Sequence, residues 1–149
     1  MVSRLSPGLD KGGGTRYNGV SKTVCPGRRR KECIRDGQTS HFEHTLLTTT
    51  ATWEQVKSLC DEGLKYHTAS VCIPPRFVKR AGDYVGNDLK ICTVIGFPNG
   101  YNSTETKVFE TEDAIRGGAD EIDMVISLGL VKAGDWDGVL AEIKAVKAS

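Results

Sequence analysis

Residues 41–149 alternate short β-rich runs with longer segments in which apolar residues recur at every third or fourth position. The predicted strands cover residues 42–47, 69–73, 89–97 and 119–127. Each is followed by a predicted helix, at residues 53–64, 77–85, 103–115 and 135–147. Thr52 is the expected N-cap of the first helix, and glycines are expected to end the second and third. Strands that alternate with helices in this way predict an α/β fold with a parallel sheet.

The spacing of the four βα units narrows the architecture further. Each unit takes about 27 residues, and an eight-stranded TIM barrel of about 250 residues uses about 30 per unit. Four units therefore predict half of a (β/α)8 barrel, with a short doubly wound open sheet as the alternative. No predicted strand is followed by G-x-G-x-x-G or by a P-loop, which argues against a nucleotide site.

The first 40 residues differ from the rest in net charge and in hydrophobic pattern. They hold nine Lys/Arg and three Asp/Glu, whereas residues 41–149 hold eleven and sixteen, giving +6 and −5 and a total of +1. This leader contains three consecutive glycines and a basic run at residues 28–31 but lacks hydrophobic periodicity, so we expect loop or disorder. The basic run is interpreted as a solvated charge run, with a localisation signal or a tail for an acidic partner as alternatives. Whether the leader is native to the protein is left open.

Composition excludes several classes of protein. The acidic charge of residues 41–149 disfavours nucleic-acid binding, because few groups there would neutralise phosphates. We expect no membrane span and no secretory signal, since no apolar run approaches the roughly 18 residues a span needs. The five cysteines contain no C-x-x-C pair, so their spacing favours buried, reduced thiols over a zinc or redox motif. A cytoplasmic protein is expected.

The fourth predicted strand shows how polar groups could reach a barrel interior. Ile122, Met124 and Ile126 alternate with Glu121, Asp123 and Val125. The first set would pack against helices, which directs Asp123 inward. A carboxylate there is costly without a partner, so a functional role and a structural salt bridge carry equal weight.

The same alternation, applied to the other strands, predicts further inward polar groups. It places Cys72 inward on the second strand, and Glu43 and Thr45 on one face of the first. On the third strand it groups Thr93, Ile95 and Phe97 on one face. Polar groups on several strands are more typical of a small-molecule site than of a core.

Four segments resemble deoxyribose-phosphate aldolase in order and spacing. They are H-T-L-L at residues 44–47, S-V-C-I-P-P at 70–75, C-T-V-I-G-F-P-N-G at 92–100 and G-A-D-E-I-D-M-V at 118–125. The resemblance covers residues 41–149, and the leader has no recognised counterpart. It implies a TIM-barrel class I aldolase that needs no metal and no cofactor. Such enzymes reversibly cleave 2-deoxy-D-ribose 5-phosphate to D-glyceraldehyde 3-phosphate and acetaldehyde through a lysine Schiff base.

The resemblance also implies roles for individual residues. Asp123 matches an aspartate that acts with a second lysine and water in proton transfer, and is the expected catalytic residue. Glu43, Thr45, Cys72 and Phe97 are the expected substrate-binding residues. Glu43 stands where the family usually has aspartate, and Ser127 where asparagine is common, so these two positions depart from the family pattern.

The family's two catalytic lysines and its phosphate-binding backbone lie beyond the fourth strand, and no matching segment occurs here. We therefore expect a chain that holds the N-terminal half of the barrel and is inactive alone. The apolar fourth strand, with an expected open edge, favours a partial aldolase. A non-catalytic half-barrel that binds or assembles with a partner is the alternative. The expected ligand is a phosphosugar, and a homodimer is one compatible assembly.

Overall fold

The computed structural model describes residues 2–5 and 42–149. The strands are β1 (Val2–Leu5), β2 (Glu43–Thr45), β3 (Ser70–Ile73), β4 (Ile91–Ile95) and β5 (Glu121–Val125). The helices are α1 (Trp53–Tyr66), α2 (Val78–Val85), α3 (Thr104–Arg116), α4 (Leu128–Ala133) and α5 (Trp136–Ala148), with a 3-10 turn at Pro75–Phe77. Within the described ranges, no helix has the length and apolar character needed to cross a bilayer.

The five strands form one sheet in the order β1-β5-β4-β3-β2. Neighbours from β2 to β5 pair in parallel and follow one another in sequence, with a helix after each. This is the predicted set of four βα units and has the form of half a TIM barrel.

The main core lies between one face of the sheet and the helices. Strand residues such as Val71, Ile73 and Met124 belong to this core together with residues of α1, α2, α3 and α5, and all three are fully buried. Leu46, Leu64 and Val108 pack at its margin. The opposite face carries a small second cluster of Cys72, Cys92 and Val94, with Leu47 beside it.

Capping residues set the starts of three helices, and the predicted N-cap Thr52 is one of them. Thr52 accepts a hydrogen bond from the Gln55 backbone, and the Gln55 side chain accepts one from the Thr52 backbone, which completes a capping box. Ser103 and Asp135 cap α3 and α5 through their side chains. Gly86 is the C-cap of α2, as expected.

The last helical region differs from its prediction. The connection after β5 contains the short helix α4, and α5 does not bury all of its expected apolar face. Trp136 and Leu140 are exposed, whereas Glu142 is buried with Val139 and Val146. Glu142 is buried because it pairs with a lysine of α3, described below.

The N-terminal segment also departs from expectation. The leader was expected to be loop or disorder, yet Val2–Leu5 forms β1 and pairs antiparallel with β5, from Val2 opposite Val125 to Leu5 opposite Ile122. The predicted open edge of β5 is therefore wrong for the described residues, because β1 occupies the backbone groups of that edge. The basic run at residues 28–31 lies outside the described residues.

Gly100 marks a close approach between the turn after β4 and the end of β5. Its φ is +70°, and a Cβ there would meet the Ile126 carbonyl oxygen and come 2.9 Å from Val125 Cγ1. Gly134 has a similar φ of +73° with open space around it. We expect Gly134→Ala to cost about 1–2 kcal/mol of stability, from its left-handed backbone alone.

Gly100→Ala should cost clearly more than Gly134→Ala, because the added methyl must also displace the backbone of Ile126. Urea unfolding of both variants measures the difference. Equal destabilisation of the two variants would show that the approach of the two loops is not close.

Candidate active site

Four side chains from four successive strands meet on the sheet face opposite the main core. They are Glu43 of β2, Cys72 of β3, Cys92 of β4 and Asp123 of β5, called here the four-strand cluster. Their carboxylate oxygens and thiol sulfurs all lie within 4.8 Å of one another. The sheet thus gathers residues that are as much as 80 positions apart in the chain.

Strand register and alternation place these side chains together. Cys72 lies opposite Cys92, Thr45 lies opposite Cys72, and Asp123 lies opposite Val94. Because side chains alternate between faces, Glu43 lies on the same face as Thr45, and Cys92 on the same face as Val94.

The residues between them point to the helices. His44, which follows Glu43, contacts Glu62 of α1 at 2.7 Å between Nε2 and Oε2. Ile122 and Met124, on either side of Asp123, are in the main core. Val71 and Ile73, on either side of Cys72, are also in the main core, so the faces predicted for β2, β3 and β5 are confirmed.

Burial and charge distinguish the members of the cluster. Both thiols are buried, whereas Glu43 and Asp123 are half-buried. The pKa of Cys92 is raised by its hydrogen bond with Cys72, by burial, and by the negative charges of Glu43 and Asp123. Cys92 is therefore a neutral thiol at neutral pH. The Ser70 hydroxyl donates to Glu43 Oε1 at 3.1 Å and orients that carboxylate.

The predicted site residues do not all meet. Glu43, Cys72 and Asp123 join the cluster, and Thr45 is exposed at the end of β2 on the same face. Phe97 lies two residues past the end of β4 and is 45% exposed.

Cys92 is the cluster member that sequence reasoning missed. The prediction grouped Thr93 with Ile95 as inward, but Ile95 is in the main core and Thr93 Oγ1 donates to the Ile73 carbonyl at 2.8 Å. Cys92 and Val94 face the site instead. The sequence did carry a signal for this face: Ile91 and Ile95 have the larger apolar side chains, which prefer the face covered by helices. Alternation then places Cys92 on the opposite face.

Helix α3 holds the turn that follows β4. Glu110 accepts a hydrogen bond from the Gly96 backbone at 2.7 Å and another from the Asn102 side chain at 3.1 Å. Further along the turn, Lys107 Nζ donates to the Gly100 carbonyl at 2.8 Å.

Lys107 and Glu142 form a buried ion pair that links this turn to the end of β5. Lys107 Nζ lies 2.7 Å from Glu142 Oε1, with the two side chains 0% and 3% exposed. Glu142 Oε2 accepts from the Ser127 backbone at 2.8 Å. The pair therefore joins α3, α5 and both loops at the carboxyl ends of β4 and β5, where barrel sites lie.

Within residues 42–149, no lysine lies on the cluster face of a strand. The lysines are Lys90, directly before β4, and seven helical residues: Lys57, Lys65, Lys79, Lys107, Lys132, Lys144 and Lys147. The Lys107 side chain lies beside Gly96, directly after β4, but its Nζ is engaged with Gly100 and Glu142.

The fold and the four-strand cluster define half of a parallel β/α barrel with ionisable groups on its interior face. The model of the DeoC/LacD family aldolases matches residues 31–149. The chain belongs to this family, and the match begins ten residues earlier than the predicted boundary at residue 41.

Curated relatives agree with the family assignment. A deoxyribose-phosphate aldolase of Streptococcus pyogenes serotype M4 is 59% identical over 107 residues, which are 72% of this chain and 48% of that protein. One from Streptococcus agalactiae serotype Ia is 58% identical over the same length, with the same two shares. The chain spans about half the length of these relatives.

Solved structures show the same partial match. A protein from Coccidioides immitis, described as a deoxyribose-phosphate aldolase, aligns with a TM-score of 0.70 and 36% identity over 73% of this chain and 44% of its own. The tetrameric deoxyribose phosphate aldolase of Aeropyrum pernix aligns with a TM-score of 0.65 and 26% identity, over 81% and 56%.

Removing Lys107 tests the buried pair. Lys107→Met leaves the Glu142 carboxylate buried without its cation, so we expect a loss of about 3–5 kcal/mol in the free energy of unfolding by urea. Lys107→Met combined with Glu142→Gln should cost less than the sum of the two single changes.

Lys79→Met is the matched control, because Lys79 pairs with Asp83 on an exposed face of α2. Lys79→Met should change the free energy of unfolding by urea only slightly. A Lys107→Met variant as stable as the Lys79→Met variant would contradict a stabilising role of the buried pair of Lys107 and Glu142.

Proposed function

We propose that this chain supplies one half of the active site of a deoxyribose-phosphate aldolase. The reaction is the reversible cleavage of 2-deoxy-D-ribose 5-phosphate to D-glyceraldehyde 3-phosphate and acetaldehyde. The observation that carries the proposal is the position of Asp123 on the interior face of an aldolase-family sheet, grouped with Glu43 and Cys72. The names of the two streptococcal relatives support the same reaction.

Asp123 is the proposed catalytic residue. Its carboxylate is half-buried, so it can exchange protons with a substrate on the interior face while the sheet fixes its position. Thr45 at the end of β2 and Phe97 past the end of β4 are proposed to contact the substrate. Cys72 and Glu43 would line the floor of the same site.

The Schiff-base lysine is proposed to come from outside this chain. Condensation of an amine with the substrate carbonyl supplies the electron sink for carbon–carbon cleavage, so the reaction calls for no metal or cofactor. The described residues offer no amine on the interior face, since their lysines lie on helices or before β4. The chain alone is therefore proposed to be inactive.

The proposed partners follow from the same reaction. The ligand is a phosphosugar, the chain binds neither nucleic acid nor membrane, and the enzyme works in the cytoplasm. The acidic charge of residues 41–149 supports the exclusion of nucleic acid. A homodimer is the proposed assembly, although the Aeropyrum pernix structure is described as tetrameric.

A non-catalytic half-barrel that serves as a binding or assembly module is the second candidate. Large apolar side chains on the described surface favour it: Tyr101, Phe109 and Trp136 are 78%, 63% and 64% exposed. Where such side chains form one contiguous patch, another protein segment commonly covers them.

A chimera tests the catalytic proposal. Residues 42–149 would replace the matching segment of the Streptococcus pyogenes aldolase, and cleavage of 2-deoxy-D-ribose 5-phosphate would be measured. We expect an active chimera, with Asp123→Asn lowering kcat at least about 100-fold, because general acid–base catalysis contributes about 10²–10⁴. Asp88→Asn is the control, since Asp88 is exposed and lies before β4. A folded but inactive chimera would favour the binding module.

Borohydride trapping tests the source of the lysine. The full chain, incubated with 2-deoxy-D-ribose 5-phosphate and borohydride, should show no adduct by intact mass, whereas the chimera should gain one. A stoichiometric adduct on one lysine of the chain alone would contradict the assignment of the Schiff base to another segment.

A further inference from the structure

The outer edge of β5 is occupied by a strand that does not fit the parallel pattern of the sheet. β2 to β5 pair in parallel with a helix after each strand, whereas β1 pairs with β5 antiparallel. A β/α barrel continues by adding its next parallel strand at this edge. We infer that β1 is an autoinhibitory strand, which must leave β5 before a complementing half-barrel docks there. This role of β1 rests on the proposed function.

The two strand registers leave no free edge on β5 while β1 is in place. Ile122, Asp123 and Met124 each have one partner on β4 and another on β1. A strand has two hydrogen-bonding edges, so this stretch of β5 is paired along both of them. An incoming strand can therefore pair with β5 only after β1 has left.

The competition takes place beside the candidate active site. Arg4 lies at the register position opposite Asp123, so the backbone of β1 runs directly past the proposed catalytic residue. In a completed barrel, the strand paired at this position belongs to the other half and borders the same site. While β1 is paired, it keeps Asp123 apart from the groups that a complementing half-barrel would supply, including the proposed Schiff-base lysine.

The size and position of β1 suit a strand that can be displaced. It has four residues, and it lies next to the chain's first residue, where backbone pairing frays most readily. Among the described elements, β5 is the one with which β1 makes its most extensive contact. Because β1 belongs to the same chain, it competes as an intramolecular partner. It therefore lowers the apparent affinity of the edge for an incoming strand by the fraction of chains in which the edge is open.

Binding to the separately produced C-terminal half of the Streptococcus pyogenes aldolase tests the inference. Neighbouring residues of an antiparallel strand direct their N–H groups to opposite sides, so Ser3→Pro/Arg4→Pro in the full chain removes at least one hydrogen bond to β5. We expect this variant to bind the C-terminal half at least about tenfold more tightly than the unchanged chain in a calorimetric titration. Ser21→Pro/Lys22→Pro is the matched control, because it makes the same kind of change outside β1. The control should bind as the unchanged chain does.

Hydrogen exchange of the unchanged chain gives a second measurement that depends on no variant. The β1 amides that pair with β5 should be protected in the free chain and should lose this protection when the C-terminal half is bound. Unprotected β1 amides in the free chain, or protection that persists in the complex, would overturn the inference.

The affinities separate this inference from the proposed function. Equal affinity of all three chains would overturn the autoinhibitory role alone. Self-association of the Ser3→Pro/Arg4→Pro variant in place of binding would assign the edge to a second copy and would also overturn it. Absence of binding by every chain would overturn both the inference and the half-barrel role. Tighter binding by the proline variant without cleavage of 2-deoxy-D-ribose 5-phosphate would support the inference and contradict only the proposed reaction.

Discussion

Parallel pairing of β2 to β5 in a fixed register is the constraint on which the candidate site depends. Each strand contributes one member of the four-strand cluster, and side chains change face at every residue. A slip of one residue in any strand would turn its cluster residue into the main core and bring an apolar side chain out. The packing of Val71, Ile73 and Met124 against helices therefore holds the cluster residues in place from behind.

The buried pair of Lys107 and Glu142 holds the loops that follow β4 and β5 in fixed positions. One ammonium group binds the carbonyl of Gly100 after β4, and one carboxylate binds the backbone of Ser127 after β5. Burial makes the pair costly to break, because either partner alone would be an uncompensated charge. The strand ends, where a barrel binds substrate, are thus tied to α3 and α5.

Much of this arrangement could be predicted from the sequence, because β5 carries an unambiguous alternation. Ile122 and Met124 are apolar and are expected to face the helices. Because side chains alternate, Asp123 must then lie on the opposite face. The inward face of β4 was harder to predict, since both faces of this strand carry small or apolar side chains. Cys92 therefore resembles a core residue. The Lys107–Glu142 pair could not be predicted from the sequence, because charged residues on helices normally face water. Only tertiary packing brings these two residues together.

The most direct test of the account mixes residues 42–149, which lack β1 and so leave the edge of β5 open, with the separately produced C-terminal half of the Streptococcus pyogenes aldolase. If this chain supplies half of an aldolase site, the mixture should cleave 2-deoxy-D-ribose 5-phosphate while neither part does so alone. Loss of that activity with Asp123→Asn, but not with Asp88→Asn, would place the chemistry at the four-strand cluster. A mixture that forms a stable complex yet shows no cleavage would contradict the account.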